Sequence, residues 1–218
     1  MSFSIIFDMD GVIVDSNPYH KIAWKMFCEQ HNILISDSEF EKNVFGRTGQ
    51  EALPILFKSN LNNELIKSYT EEIDGNYRKA FAPSIHPLLG LIDFLDDIQG
   101  KSIKYAIATS APPVNVEFVL KNTGLRKYFD IIVDSTSIIK SKPNPEIYLK
   151  TANLLGIEPS ECVVIEDSLS GIDAAIRAGM KVIGITTTHK AEELVHTNLV
   201  IDDFTELNLS LIKDIFNN

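Results

Sequence analysis

Two hydrophobic patterns alternate along most of the chain. Short β-branched runs of strand length cover residues 3–8, 104–109, 130–133, 162–166, 181–185 and 199–201. Between them, at 88–98, 114–123, 145–155, 169–178 and 207–216, apolar residues recur every three or four positions, as one face of a helix requires. Gly124, Gly156 and Gly179 each follow such a helical run, where a left-handed cap residue is wanted. Strands alternating with helices predict an α/β protein, a parallel sheet covered by helices.

The stretch 15–83 breaks the alternation. It holds no convincing strand but several helical patterns, including 19–30, where Ala23, Met26 and Phe27 share a face. Pro54, inside another such pattern, predicts a kink or break. The expected organisation is therefore an α/β core domain of residues 1–14 and 84–218, interrupted after its first strand by a small all-helical domain of residues 15–83. No internal repeat is present.

Composition narrows the class. The 218 residues are 44% hydrophobic and 23% charged, an ordinary globular balance with room for one good core. No apolar run approaches membrane-spanning length, and the N-terminus lacks the basic and apolar regions of a signal peptide. Cys28 and Cys162 stand far apart within apolar patterns, so a reducing, cytoplasmic setting is expected. A formal net charge of −10 without a basic run argues against nucleic acid and anionic membrane as partners. A phosphorylated substrate would then need positive charge supplied within the site itself. No dimerising stripe is evident, and a monomer is expected.

In open parallel sheets, reactive groups gather beyond the carboxyl ends of the strands. Unusual residues fall there repeatedly: Asp8-Met9-Asp10-Gly11, Thr109-Ser110, a loop with Ser141-Lys142-Pro143, and Glu166-Asp167. Taken singly, these are a turn, a helix start, a surface turn and an N-terminal cap. Taken together they compose one reaction. Asp8 can attack as a nucleophile, while Asp10, two residues on, exchanges protons with the leaving group and then with water. Glu166 and Asp167, with Asp8, offer hard oxygen ligands suited to Mg²⁺. Lys142 would neutralise the attacked phosphate, and Thr109 and Ser110, with the backbone N–H groups around them near the following helix start, would hold its oxygens.

This set resembles the haloacid dehalogenase superfamily, in particular its branch of beta-phosphoglucomutases and phosphoglycolate-type phosphatases with a helical cap inserted after the first motif. The resemblance covers nearly the whole chain. Asp8 and Asp10 match the Asp-x-Asp-Gly-Val motif, Thr109 the phosphate-binding hydroxyl, Lys142 the lysine of Lys-Pro-x-Pro, and Glu166 and Asp167 the acidic pair of Glu-Asp-Ser-x-x-Gly-Ile. It implies a Rossmann-like, doubly wound sheet with a mobile cap, and a metal bound also by the Asp10 backbone carbonyl.

The second aspartate selects among the family's reactions. Dehalogenase and phosphonate-cleaving relatives lack it, whereas an alkoxide leaving group needs a proton; the intact pair points to P–O bond chemistry. Within the helical insertion, Tyr19-His20-Lys21-Ile22-Ala23-Trp24 looks like the first cap helix of beta-phosphoglucomutase, making His20 and Trp24 substrate-side candidates. A mutase also needs donors for a second phosphate. Here Ala111-Pro112-Pro113 follows the second motif without a side-chain donor, and the cap loop Gly46-Arg47-Thr48-Gly49 carries its arginine two positions from the mutase pattern. Arg47 becomes a candidate for recognising the substrate's leaving group. The expectation is Mg²⁺-dependent hydrolysis of a small phosphorylated metabolite through an aspartyl-phosphate, with a sugar-phosphate mutase as the alternative.

Overall fold

The computed structural model describes residues 3–44 and 47–217. The chain divides into two compact units, Met1–Asp15 with Ile85–Asn218, and Ser16–Ser84. The first is an α/β unit of Rossmann-like type. Its strands are β1 (Ser4–Phe7), β2 (Lys104–Ala108), β3 (Ile132–Val133), β4 (Cys162–Glu166), β5 (Lys181–Ile185) and β6 (Leu199–Ile201). They form one sheet in the order β3-β2-β1-β4-β5-β6, with every pairing parallel. Chain order runs outward in one direction from β1 to β3 and in the other from β4 to β6. The switch point therefore lies between β1 and β4, where α/β sheets open a crevice at the carboxyl ends.

β1 is buried along its whole length, so its alternate side chains anchor both faces of the sheet. Ile6 joins Ala106 and Val164 in a core closed by α7 (Glu146–Leu155) and α8 (Leu169–Arg177). On the opposite face the Phe7 ring meets Phe129, Phe204 and Phe94 at centroid distances of 5.7, 6.1 and 6.3 Å. Burying one such phenylalanine contributes roughly 1.5–3 kcal/mol, which holds the residue before Asp8 firmly in place. The remaining helices of this unit are α5 (Leu91–Ile98), α6 (Pro113–Thr123) and α9 (Leu209–Asn217). Gly124, Gly156 and Gly179 adopt φ of 72°, 66° and 77°, the left-handed conformation expected at helix ends.

The second unit is helical: α1 (Asn17–Gln30), α2 (Asp37–Asn43), α3 (Gly49–Phe57) and α4 (Asn63–Phe81). α1 packs Ala23, Trp24, Phe27 and Cys28 inward, and α4 does the same with Ile73, Asn76, Tyr77 and Phe81. The buried Asn76 donates to Gln30 Oε1 at 3.0 Å, so its amide is not left unbonded in the core. Pro54 lies within α3, which runs on for three more residues; the expected break there does not occur. Among the described residues, no helix is long and apolar enough to cross a membrane.

Candidate active site

Strand register assembles the site. Phe7 pairs with Ile107 on β2 and with Ile165 on β4, so Asp8, Ala108 and Glu166 come out at one level at the carboxyl edge. Asp8 and Thr109, expected as the last strand residues, each lie one position beyond. Their amides still bond the sheet, Asp8 N–H to Ile165 O at 3.1 Å and Thr109 N–H to Val133 O at 2.9 Å. The backbone is thus held while both side chains are released into the crevice.

Lys142 reaches this level from the loop before α7, where the Lys142–Pro143 peptide is cis. Its side chain is only 7% exposed, and its ammonium donates to Asp8 Oδ1 at 2.6 Å and to Glu166 Oε1 at 2.7 Å. Burial would lower the lysine's pKa, but the carboxylates of Asp8 and Glu166 outweigh it and hold Lys142 well above its ordinary value.

Glu166 is fully buried, and both of its oxygens are engaged. Oε1 accepts from Lys142 and from the Tyr148 hydroxyl at 2.9 Å, and Oε2 accepts from Ser168 N–H at 2.8 Å and Ser168 Oγ at 3.0 Å. Burial would raise its pKa, but Lys142 and these hydrogen bonds keep it below the usual carboxylate value. These contacts make Glu166 the strut for Lys142. Ser168 also caps α8, accepting from Gly171 N–H at 3.1 Å, and the helix start presses against Glu166 so closely that residue 171 must lack a side chain. A Cβ on Gly171 would fall 1.6 Å from Glu166 Oε1.

Asp167 is 3% exposed and accepts a hydrogen bond at Oδ2 from the Thr188 hydroxyl. The neighbouring Thr187 hydroxyl donates to Gly11 O at 2.6 Å, tying the loop after β5 to the turn that follows Asp8. Burial first, then the charges of Glu166 and Asp8, push the Asp167 carboxyl well above its usual range. Asp8 is pushed up to about 7, by burial above all, with Glu166 and Asp10 adding to the effect and Lys142 opposing it. Acidic charge therefore exceeds what Lys142 neutralises. Asp10 is half-buried in the turn, where its backbone bridges to Val14.

That excess bears on the expected Mg²⁺. Among the described residues, no three acidic, imidazole or thiol groups converge as a ready metal centre. Asp8 and Asp167, buried beside each other with their charge incompletely balanced, do fit a hard dication. Mg²⁺ characteristically takes one or two carboxylates and completes its shell with water and substrate phosphate.

Thr109 is buried, and its Oγ1 accepts from Ala111 N–H at 3.1 Å, so the hydroxyl hydrogen is available to donate outward. Ser110 beside it is exposed. Pro112 and Pro113 form the cap and first position of α6, which has no side-chain cap. The other candidates belong to the helical unit. The His20 ring stacks on Tyr77 at 4.1 Å with 5° between planes, and Trp24 packs edge-on to Phe27 at 6.1 Å. Arg47 is exposed just before α3; Gly46, ahead of it, lies outside the described residues. The sequence reading missed Tyr148, Ser168, Thr187 and Thr188. The threonines at the end of β5 answer the same strand-end rule that found Asp8, whereas Tyr148 sits at an apolar helix position and gives no such signal.

The switch point of an α/β sheet therefore holds a buried, lysine-braced aspartate among further carboxylates. Residues 5–185 match the model of the haloacid dehalogenase-like hydrolase family. A phosphorylated carbohydrates phosphatase of Thermotoga maritima is 31% identical over 97% of this chain and 99% of its own. A beta-phosphoglucomutase of Bacillus subtilis is 29% identical over 97% and 94%. Among solved structures, a HAD hydrolase of family IA, variant 3, from Entamoeba histolytica superposes with a TM-score of 0.93 at 31% identity, covering 100% of both chains. The chain belongs to the haloacid dehalogenase-like hydrolase family. It is an enzyme of the phosphate-ester hydrolysing or phosphoryl-transferring kind.

Proposed function

We propose that the chain hydrolyses small phosphate monoesters, sugar phosphates or similar metabolites, in a Mg²⁺-dependent reaction through an aspartyl-phosphate on Asp8. The observation that carries this reading is the Lys142 ammonium shared between Asp8 at 2.6 Å and Glu166 at 2.7 Å. It orients one Asp8 oxygen and leaves the third lysine proton for a phosphate oxygen. Asp8 attacks phosphorus in line and the bond to the leaving oxygen breaks, with Asp10 supplying the proton that oxygen needs. Asp10 then takes a proton from water, which attacks the same phosphorus, releases inorganic phosphate and restores Asp8.

Asp8, Glu166, Asp167 and the Asp10 carbonyl would hold Mg²⁺, which when bound neutralises phosphate oxygens and favours the anionic form of Asp8. Thr109 donates to the phosphate, and Ser110 is a second candidate donor. The inserted helical unit, read as a cap, is proposed to supply leaving-group recognition through His20, Trp24 and Arg47. The two cysteines are buried and free, consistent with the proposed cytoplasmic location.

Hydrolysis is preferred to a mutase reaction because of the start of α6. With proline at its cap and first position, two amide donors are missing where a second phosphate group would be steadied. The decisive experiment is a Mg²⁺-dependent phosphate-release screen over small phosphorylated metabolites, with p-nitrophenyl phosphate as the general probe. Asp8→Ala and Asp8→Asn should each abolish turnover, and substantial activity in either would overturn the nucleophile assignment. Interconversion of sugar 1- and 6-phosphates with a catalytic bisphosphate, in a coupled assay, would favour the mutase instead.

A further inference from the structure

Tyr148 touches two members of the charged centre in two different ways. It lies in α7, fully buried; its hydroxyl donates to Glu166 Oε1 at 2.9 Å, and the Lys142 ammonium stands 5.0 Å from its ring centroid, over the ring. Packing does not call for this arrangement. A phenylalanine would fill nearly the same space, and a buried hydroxyl is costly unless it is bonded. The oxygen that Tyr148 grips is the same one that receives Lys142.

Lys142 comes from a loop, Glu166 from the end of β4 and Asp8 from the end of β1, so no single element fixes all three. Lysine has a flexible four-carbon stem and a compact charge, and would settle on whichever carboxylate attracts it more. A hydrogen bond from Tyr148 to Glu166 Oε1 disperses the charge facing Lys142 and so weakens that competitor for the ammonium. The ring face meanwhile steadies the cation without adding another carboxylate.

We propose that Tyr148 is a positioning residue that fixes the Lys142 ammonium on Asp8 by bonding Glu166 Oε1 and facing the lysine with its ring. The proposal deepens the reading of Asp8 as nucleophile and rests on it for its effect on turnover. Tyr148→Phe removes the hydroxyl and keeps the ring; Tyr148→Leu removes both.

The test measures kcat and KM on p-nitrophenyl phosphate with Mg²⁺, thermal melting, and acetylation of Lys142 by acetic anhydride followed by mass spectrometry. For Tyr148→Phe, loss of a charge-assisted bond should lower kcat about tenfold, with KM within about twofold and Tm lower by roughly 3–12 °C. Tyr148→Leu should lower kcat by about a hundredfold and raise Lys142 acetylation several-fold. Wild-type kcat in Tyr148→Phe would overturn the proposal, as would a Tyr148→Leu protein whose Lys142 is no more reactive than in the wild type. The labelling does not depend on turnover. If Asp8→Asn stayed active, the nucleophile reading would fail while the labelling still decided whether Tyr148 holds the lysine.

Discussion

Replacing Gly171 by alanine separates helix propensity from site geometry, because the two demand opposite signs. Within a helix, alanine is better than glycine by about 0.8–1.0 kcal/mol, so propensity alone predicts a stabilised α8. The structure predicts the reverse. The new Cβ would lie 1.6 Å from Glu166 Oε1 and 2.0 Å from its Cδ, well inside contact distance. Glu166 cannot yield cheaply, since Lys142, Tyr148 and two groups of Ser168 hold it. Disrupting a buried ion pair costs roughly 3–5 kcal/mol, leaving a net loss of about 2–4 kcal/mol after the propensity gain. For a chain of this size that lowers Tm by roughly 5–15 °C. Because Lys142 loses its second anchor, kcat on p-nitrophenyl phosphate should fall at least about a hundredfold. Gly75→Ala is the control: inside α4 its Cβ would meet only Arg78 Nη2, at 4.0 Å, so stability should rise by about 1 kcal/mol. Differential scanning calorimetry and steady-state kinetics on both variants make the test. A Gly171→Ala protein with undiminished Tm and wild-type kcat would refute the account of Glu166 as the strut for Lys142.

Three further outcomes follow from the site and the core. Asp10→Asn should slow hydrolysis of alkyl phosphates more than of p-nitrophenyl phosphate, whose leaving group needs little protonation; equal losses would count against Asp10 as the acid. Asp8 lies near 7 in the folded chain against an ordinary 3.8, so its ionisation between these values disfavours the metal-free fold, and its contribution to stability falls as pH rises through that window. With Mg²⁺ held by Asp8 as proposed, proton and metal would compete for this carboxylate, so the gain in Tm on adding Mg²⁺ should grow from pH 5 to pH 8 (about a tenfold gain in affinity per unit below 7), and a pH-independent gain would contradict it. Burial pushes the Cys162 thiol up to about 11 and raises that of Cys28 as well. At pH 8 only about one Cys162 in a thousand is thiolate, so the native protein should react with Ellman's reagent far more slowly than the unfolded chain.

Much of the fold was legible because its signals are local. The β4 and β5 strands appear where the apolar runs placed them, since a run buried on both faces of a parallel sheet needs no information from its partners, and the edge strand β6 also falls on its run. Other boundaries moved for reasons that lie outside the segment. β3 shrank to Ile132–Val133, the only residues of its run that pair with β2. The helical run expected from residue 88 begins at Leu91, because Gly90 takes a left-handed φ of 78° that excludes it from the helix. Of the kink or break that Pro54 predicts, α3 excludes the break by running three residues past it.

By itself the sequence determined the alternation of strand and helix, the interruption after the first strand, the carboxylates and threonine that end up at strand termini, and the lysine of the loop before α7. Each of these is written in residue type and short-range spacing. Only the tertiary structure decided what those groups do to one another. Parallel register brings Asp8 and Glu166 to one level, a loop 134 positions along the chain from Asp8 inserts Lys142 between them, and Tyr148 closes the cluster from a helix whose pattern records only burial. Pairings at such separation depend on how the sheet is wound, and charge shared among buried groups depends on distances of a few ångströms. Neither is encoded in any one segment.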